Sequence, residues 1–131
     1  MMIGALAKIT GLSKDGLRHY EALGLIHSRP KRAGSRSYRS YDDTTLERLA
    51  LIALGKRLHF PLREIAQLLN RLMADEISRA ERSAVLMNKA AQIDAQIADL
   101  QAARSELLAL AATPDKEVVD VRLREMGLAL R

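Results

Sequence analysis

Apolar residues recur at helical spacing in two short segments at the start of the chain, residues 3–10 and 13–23. Gly11 lies between them, and Ser13 stands where a second helix needs a side chain to cap its N-terminus. The apolar residues of the second segment, beginning with Leu17, share one helical face. Two short helices joined by a tight glycine turn predict a helix-turn-helix. A pair of surface helices in a bundle is the alternative, and the capped turn favours the helix-turn-helix.

The next stretch, residues 27–41, has no helical period and interleaves arginines and lysines with Tyr38 and Tyr41. Pro30 breaks the pattern, and two extended segments around Gly34 predict a β-hairpin, the wing of a winged helix. Arginine and tyrosine side chains can donate hydrogen bonds to phosphate oxygens. A solvated basic loop is the alternative, but the position directly after a helix-turn-helix favours the wing.

Two further helices are predicted, one from Asp42 to about Leu58 and one from Leu62 to about Ala74. Acidic residues suit the start of the first, and Pro61 fits the first position of the second. An apolar stripe on each helix is expected to cover the helix-turn-helix. The predicted stripes comprise Leu46, Leu49, Ile52 and Leu54 in the first helix and Ile65, Leu68, Leu69 and Leu72 in the second.

A long segment from about Ile77 to Ala112 contains neither glycine nor proline and carries a heptad seam. The seam positions are Leu86, Ala90, Ile93, Ile97, Leu100, Arg104, Leu107 and Ala111. A helix of roughly 50 Å, at 1.5 Å per residue, is too long to bury this stripe on the preceding part of the chain. A second copy of the chain is the simplest partner, and Arg104 would help to specify its register. A helix folded back on itself and a heterodimer are the alternatives, and periodicity leaves the direction of the partner helix open.

Proline disfavours the helical region for the residue before it, so Thr113-Pro114-Asp115 is predicted to end the long helix. The apolar tail that follows is expected to form a small helix. The sequence thus predicts a winged helix-turn-helix domain at 1–75, a coiled-coil helix at 76–112 and a short tail at 113–131.

The positive charge lies in the first of these regions. Residues 1–75 hold 13 Lys and Arg against 7 Asp and Glu, whereas residues 76–131 hold 8 against 9. A basic region beside a neutral one favours a module that binds a polyanion, and a basic but inert surface is the alternative. The sequence shows no glycine-rich phosphate loop, no nucleophile beside a base and no paired carboxylates in an apolar setting. An enzyme is therefore not expected.

The chain contains no cysteine, which excludes disulfides, thiolate metal sites and a cysteine nucleophile. Its three histidines, His19, His27 and His59, are not spaced as a metal site, and no cofactor is expected. No apolar run approaches the ~20 residues of a membrane span, and the N-terminus does not resemble a signal peptide. The expected location is the cytoplasm.

Three motifs occur in an order that resembles the MerR family of bacterial transcription activators and repressors. They are IGALAKITGLSKDGLRHYEALGLI at residues 3–26, YRSYDDTTLERLALI at 38–52 and LHFPLREIAQLL at 58–69. The resemblance implies a mainly α fold, in which two winged domains are joined as a homodimer by an antiparallel coiled coil. It also implies a pseudo-palindromic operator in double-stranded promoter DNA, which the dimer distorts so that RNA polymerase can engage both promoter elements.

The resemblance also implies roles for individual residues. By their positions in the motifs, Lys14 and Asp15 resemble base-facing residues, Arg18 and Tyr20 resemble phosphate contacts, and Tyr38 and Arg39 fall on the wing. The full candidate interface comprises Ser13, Lys14, Asp15, Arg18, His19, Tyr20, Arg36, Tyr38 and Arg39. The candidate dimer contacts are Leu86, Ala90, Ile93, Ile97, Leu100 and Leu107.

The chain departs from the family where its metal sensors place thiolates, near the end of the long helix and in the loop after it. That region reads LALAATPDKEVVD here and has neither Cys nor His. The sequence therefore predicts a regulator that is not a thiolate metal sensor. Its signal is either a small organic molecule held near the coiled-coil junction or none. An architectural or adaptor DNA-binding protein without a specific effector is the alternative function.

Overall fold

Six helices and two strands make up the computed structural model over the residues it describes, 1–112 and 115–128. In chain order they are α1 Ile3–Thr10, α2 Lys14–Ala22, β1 Arg29–Ala33, β2 Arg36–Ser40, α3 Asp43–Arg57, α4 Leu62–Met73, α5 Arg79–Ala112 and α6 Lys116–Glu125. The chain divides into two units, Met1–Arg82 and Ser83–Arg131. The mainly helical fold with a two-stranded wing and a long helix is as predicted. Thr113 and Pro114, the predicted end of the long helix, lie outside the described residues.

Local signals fix the helix-turn-helix. The residue after α1 is Gly11, whose φ of +74° lies in the left-handed region that glycine adopts at little cost. The Ser13 hydroxyl then accepts a hydrogen bond from the Gly16 amide at 2.9 Å and caps α2. After α2, the amide of Leu25 reaches back to the carbonyl of Tyr20 at 2.9 Å. The predicted glycine turn and N-cap are confirmed.

The wing is an antiparallel hairpin with two residues, Gly34 and Ser35, between its strands. Its pairing runs from Arg29 opposite Ser40 to Ala33 opposite Arg36. Gly34 has a φ of +66°, as two-residue hairpin turns require. The hairpin predicted around this glycine is confirmed.

The core of the first unit is mostly aliphatic and joins α1, α2, α3 and α4. It includes Leu6 from α1, Leu17 and Tyr20 from α2, Leu49 and Ile52 from α3, and Ile65 and Leu69 from α4, together with Leu25, Ile26 and Tyr41 from the segments flanking the wing. Leu54, predicted on the α3 stripe, is half exposed. It lies two positions after Ile52, so the two side chains leave the helix on different faces.

Helix starts differ by one or two residues from the sequence predictions. Pro61 is the extended N-cap residue of α4 and not its first helical residue. The long helix α5 begins at Arg79 and not at Ile77, because the Ser78 hydroxyl accepts the Glu81 amide at 3.1 Å and marks the helix start.

In the second unit, α6 is joined to α5 by an ion pair between Arg122 and Glu106. The Arg122 guanidinium donates to both Glu106 carboxylate oxygens, with its Nη2 3.4 Å from Oε2. Several seam residues of α5 are exposed in the single chain, namely Leu86, Ile97, Leu100 and Leu107. Across 1–112 and 115–128, no helix is long and apolar enough to cross a membrane.

A close approach between α3 and α4 yields a stability prediction. A Cβ added at Gly55 would lie 2.9 Å from Cδ1 and Cγ1 of the buried Ile65. We expect Gly55→Ala to destabilise the protein, because overpacking a buried contact costs about 1–3 kcal/mol and exceeds the ~1 kcal/mol that alanine gains over glycine in a helix. In the Ile65→Ala background the same change should stabilise the protein. Urea unfolding of the four proteins measures both effects, and equal stabilisation in both backgrounds would refute the clash.

Candidate nucleic-acid interface

The outer face of α2 carries most of the polar residues predicted for DNA. Lys14, Asp15, Arg18 and His19 are exposed, whereas Leu17 on the opposite face is buried. Nη1 of Arg18 lies 3.3 Å from Oδ1 of Asp15, one helical turn earlier. Burial of one face therefore holds the other outward, where Arg18 lies beside the Asp15 carboxylate.

Two other predicted DNA contacts, Ser13 at the N-cap of α2 and Tyr20 within α2, have structural roles. The Ser13 hydroxyl is committed to the helix cap. Tyr20 is only 7% exposed, and its ring belongs to the core. Its hydroxyl lies 3.3 Å from the Lys56 ammonium, which donates to it from the last turn of α3. Any contact of Tyr20 with DNA would be made by the hydroxyl, beside a lysine that the sequence analysis did not select.

The three predicted wing residues do not share one face. Directly paired residues in a hairpin project to the same side, so Arg36 and Tyr38 lie on the side that also carries Lys31, whereas Arg39 lies with Arg32 on the other. Arg36 and Arg39 are exposed, and Tyr38 is partly buried. A single flat contact with the wing would therefore involve only some of the predicted residues.

A carboxylate of α2 connects this helix to the wing. Glu21 accepts a hydrogen bond from the Ser28 hydroxyl, just before β1, and its Oε2 lies 3.9 Å from Nε of Arg39 on β2. Burial raises the pKa of the nearby Tyr41 hydroxyl above its usual value, and the Glu21 charge raises it further. Sequence reasoning missed Glu21, because its partners lie 7 and 18 residues further along the chain.

The other face of the wing borders a cleft of about 670 Å³ beside the start of α3. Basic residues Arg29 and Lys31 line this cleft together with Asp42 and Asp43. A hydrogen bond from Thr44 lowers the pKa of Asp42, so its carboxylate is charged at neutral pH. The cleft borders the wing face that carries Lys31, so the Arg39 side is the face connected to α2.

Two family models match the chain. The model for the MerR HTH family regulatory protein matches residues 1–72, and the model for the MerR DNA-binding region matches residues 46–110. Together they span the helix-turn-helix, the wing and nearly all of α5.

Individual relatives agree with these matches. The transcriptional regulator CueR of Escherichia coli O6:H1 is 33% identical over 126 residues, which cover 95% of this chain and 92% of CueR. The regulator PbrR691 of Ralstonia metallidurans CH34, solved in complex with lead(II), is 32% identical with a TM-score of 0.74, over 88% of this chain and 89% of that one. HiNmlR, a regulator without the sensor domain solved on promoter DNA, is 22% identical with a TM-score of 0.56, over 97% and 94%, and shows the likeness in fold alone.

The contacts of Glu21 predict that its carboxylate stabilises the wing. Glu21→Ala removes the acceptor for Ser28 and the partner of Arg39, so we expect amide hydrogen exchange in residues 36–40 to quicken. We expect a loss of about 1 kcal/mol in global stability, because a hydrogen bond to a charged group contributes about 1.5–3 kcal/mol and Glu21 is partly solvated. Glu47→Ala, at an exposed position of α3, is the matched control. Unchanged wing exchange in Glu21→Ala would rule out this role.

Proposed function

The chain belongs to the MerR family of helix-turn-helix regulatory proteins, and from this premise we propose that it controls transcription initiation as a homodimer on a pseudo-palindromic promoter operator. Members of this family are DNA-binding transcription regulators and not enzymes. The observation that carries the proposal is the exposed polar face of α2, with a wing cation held at its C-terminal end through Glu21.

On this proposal α2 enters the major groove, which is wide enough for a helix. In a helix-turn-helix the N-terminal residues of the second helix contact base edges, so Lys14 and Asp15 face the bases. Arg18 and His19 lie one turn further on, and Arg18 binds a phosphate. Arg39 supplies a backbone contact from the wing face that is connected to α2, and Arg36 and Tyr38 supply contacts from the opposite face of the hairpin. Lys56 adds a cation beside the Tyr20 hydroxyl.

The second copy is proposed to cover the seam of α5. Leu100 and Leu107 are 70% and 66% exposed in the single chain, which is costly for large apolar side chains that recur along one stripe. Two copies related by a two-fold axis present two α2 helices, and such a pair matches a pseudo-palindromic site. The antiparallel direction, the distortion of the promoter and the engagement of RNA polymerase are proposed from the family likeness.

The signal is proposed not to be a metal bound by thiolates. Although PbrR691 was solved with lead(II), these 131 residues contain no cysteine. Our candidate effector site is a cavity of about 360 Å³ between α5 and α6, lined by Leu110, Val118, Val121 and the Arg122–Glu106 pair among others. An apolar wall beside two opposite charges suits a small organic molecule with a polar group.

The proposal is tested by mapping bound sites across the genome and footprinting the strongest promoter site with wild type and Arg18→Ala. We expect one protected region between the promoter elements. Arg18→Ala should weaken binding to all sequences and lower the slope of log affinity against log salt by about one, because one phosphate contact is lost.

Diffuse protection without a preferred site would instead support an architectural DNA-binding protein. An unchanged salt slope in Arg18→Ala would argue against the phosphate contact.

The dimer is tested with Ile97→Asp, which places a charge in the middle of the seam. We expect the dimer to dissociate, because an unpaired buried charge is far more costly than the apolar contact it replaces. Analytical ultracentrifugation measures the change, and Gln101→Asp, at a flanking exposed position, should stay dimeric. An Ile97→Asp protein that still sediments as a dimer would contradict the seam assignment.

A further inference from the structure

Asp15 is an acidic residue on a surface that is otherwise suited to a polyanion. Its side chain is 96% exposed in the first turn of α2, beside Lys14 and Arg18. A carboxylate at this position is repelled by DNA phosphates, so it weakens non-specific binding. Its presence on the DNA-facing helix therefore needs a physical reason.

Helix capping does not supply that reason. The Ser13 hydroxyl already accepts the Gly16 amide at 2.9 Å and satisfies the start of α2. An acidic residue in the first turn also suits the helix dipole, but any exposed first-turn position would serve for that purpose.

The contacts of Asp15 leave half of its carboxylate available. Among the described residues Asp15 forms an ion pair with Arg18, whose Nη1 donates a hydrogen bond to Oδ1 at 3.3 Å. The guanidinium fork of arginine carries five N–H donors, so Arg18 can hold this oxygen and still donate to a phosphate. Oδ2 is then an acceptor on the first turn, where a recognition helix meets base edges.

The chemistry of the major groove selects the base that fits such an acceptor. The polar group that cytosine presents in the major groove is its N4 amino donor. Guanine and thymine present acceptors there, and adenine presents an N6 donor next to an N7 acceptor. An ionised carboxylate only accepts hydrogen bonds, so cytosine is the base that it meets without repulsion. We propose that Asp15 is a specificity-determining residue that accepts a hydrogen bond from the N4 amino group of a cytosine in each operator half-site, with Arg18 fixing the carboxylate.

This inference rests on the proposed function, because it requires a sequence-specific operator. The experiment is in vitro selection from a randomised duplex library with the full chain as wild type, Asp15→Ala and Asp15→Asn. Wild type should enrich cytosine at one position of each half-site by about 5- to 10-fold over other bases, the lower end of the range for a bidentate contact, because this contact is a single hydrogen bond. Asp15→Ala should lose the preference at this position only.

Asp15→Asn should move the preference from cytosine to adenine, because an amide can pair with N6 and N7 of adenine together. A purely structural role for Asp15 predicts no such exchange of bases. The matched control is Asp43→Asn, which removes an exposed first-turn carboxylate from α3 and should select the wild-type sequence.

Two kinds of failure are distinguishable. If wild type enriches no common sequence, the proposed operator binding fails and this inference with it. If wild type enriches a half-site but both Asp15 variants enrich the same one, only the role of Asp15 is overturned. A uniform change in affinity without a change in base preference overturns it in the same way, since Asp15 would then act only on Arg18 or on the helix.

Discussion

The candidate interface depends on the burial of one face of α2. A helix of nine residues is not stable alone in water, because nucleation is costly and few hydrogen bonds repay it. Leu17 and Tyr20 anchor α2 in the aliphatic core, and the Ser13 cap fixes where it begins. The residues on the other side of the helix are therefore held outward. Packing, and not any polar contact, therefore orients Lys14 and Arg18.

Sequence alone predicts the parts of this arrangement that are local. Gly11 and Ser13 specify the turn and the cap within a few residues, and Gly34 specifies the hairpin in the same way. The family resemblance added roles for residues on α2 and the wing. Leu54 shows the limit of this approach, because an apolar residue close to helical spacing can still lie at an angle around the helix that leaves it half exposed.

The contacts that could not be predicted from the sequence join residues that lie far apart in the chain. Glu21 and Arg39 are 18 positions apart, and Tyr20 and Lys56 are 36 apart. Such pairs depend on how the wing and α3 pack against α2, which no periodicity encodes. They also add to the interpretation of single residues, because Tyr20, which shares the apolar face of Leu17, contacts Lys56 through its hydroxyl. A likeness to a relative solved with lead(II) similarly does not assign a ligand to this chain, since a fold and the site that it carries are separate properties.

Because an ion pair joins α6 to α5, the attachment of α6 depends on pH and salt in a way that the packing of the aliphatic core does not. Arg122 lowers the pKa of Glu106, first through its hydrogen bonds and then through its charge. The contribution of this pair is therefore complete above the ordinary glutamate pKa and disappears as the pH falls through the lower folded value. Both side chains are partly exposed, so dissolved ions also weaken their attraction. Acid or high salt should thus loosen α6 under conditions that leave the packing around Leu17 intact.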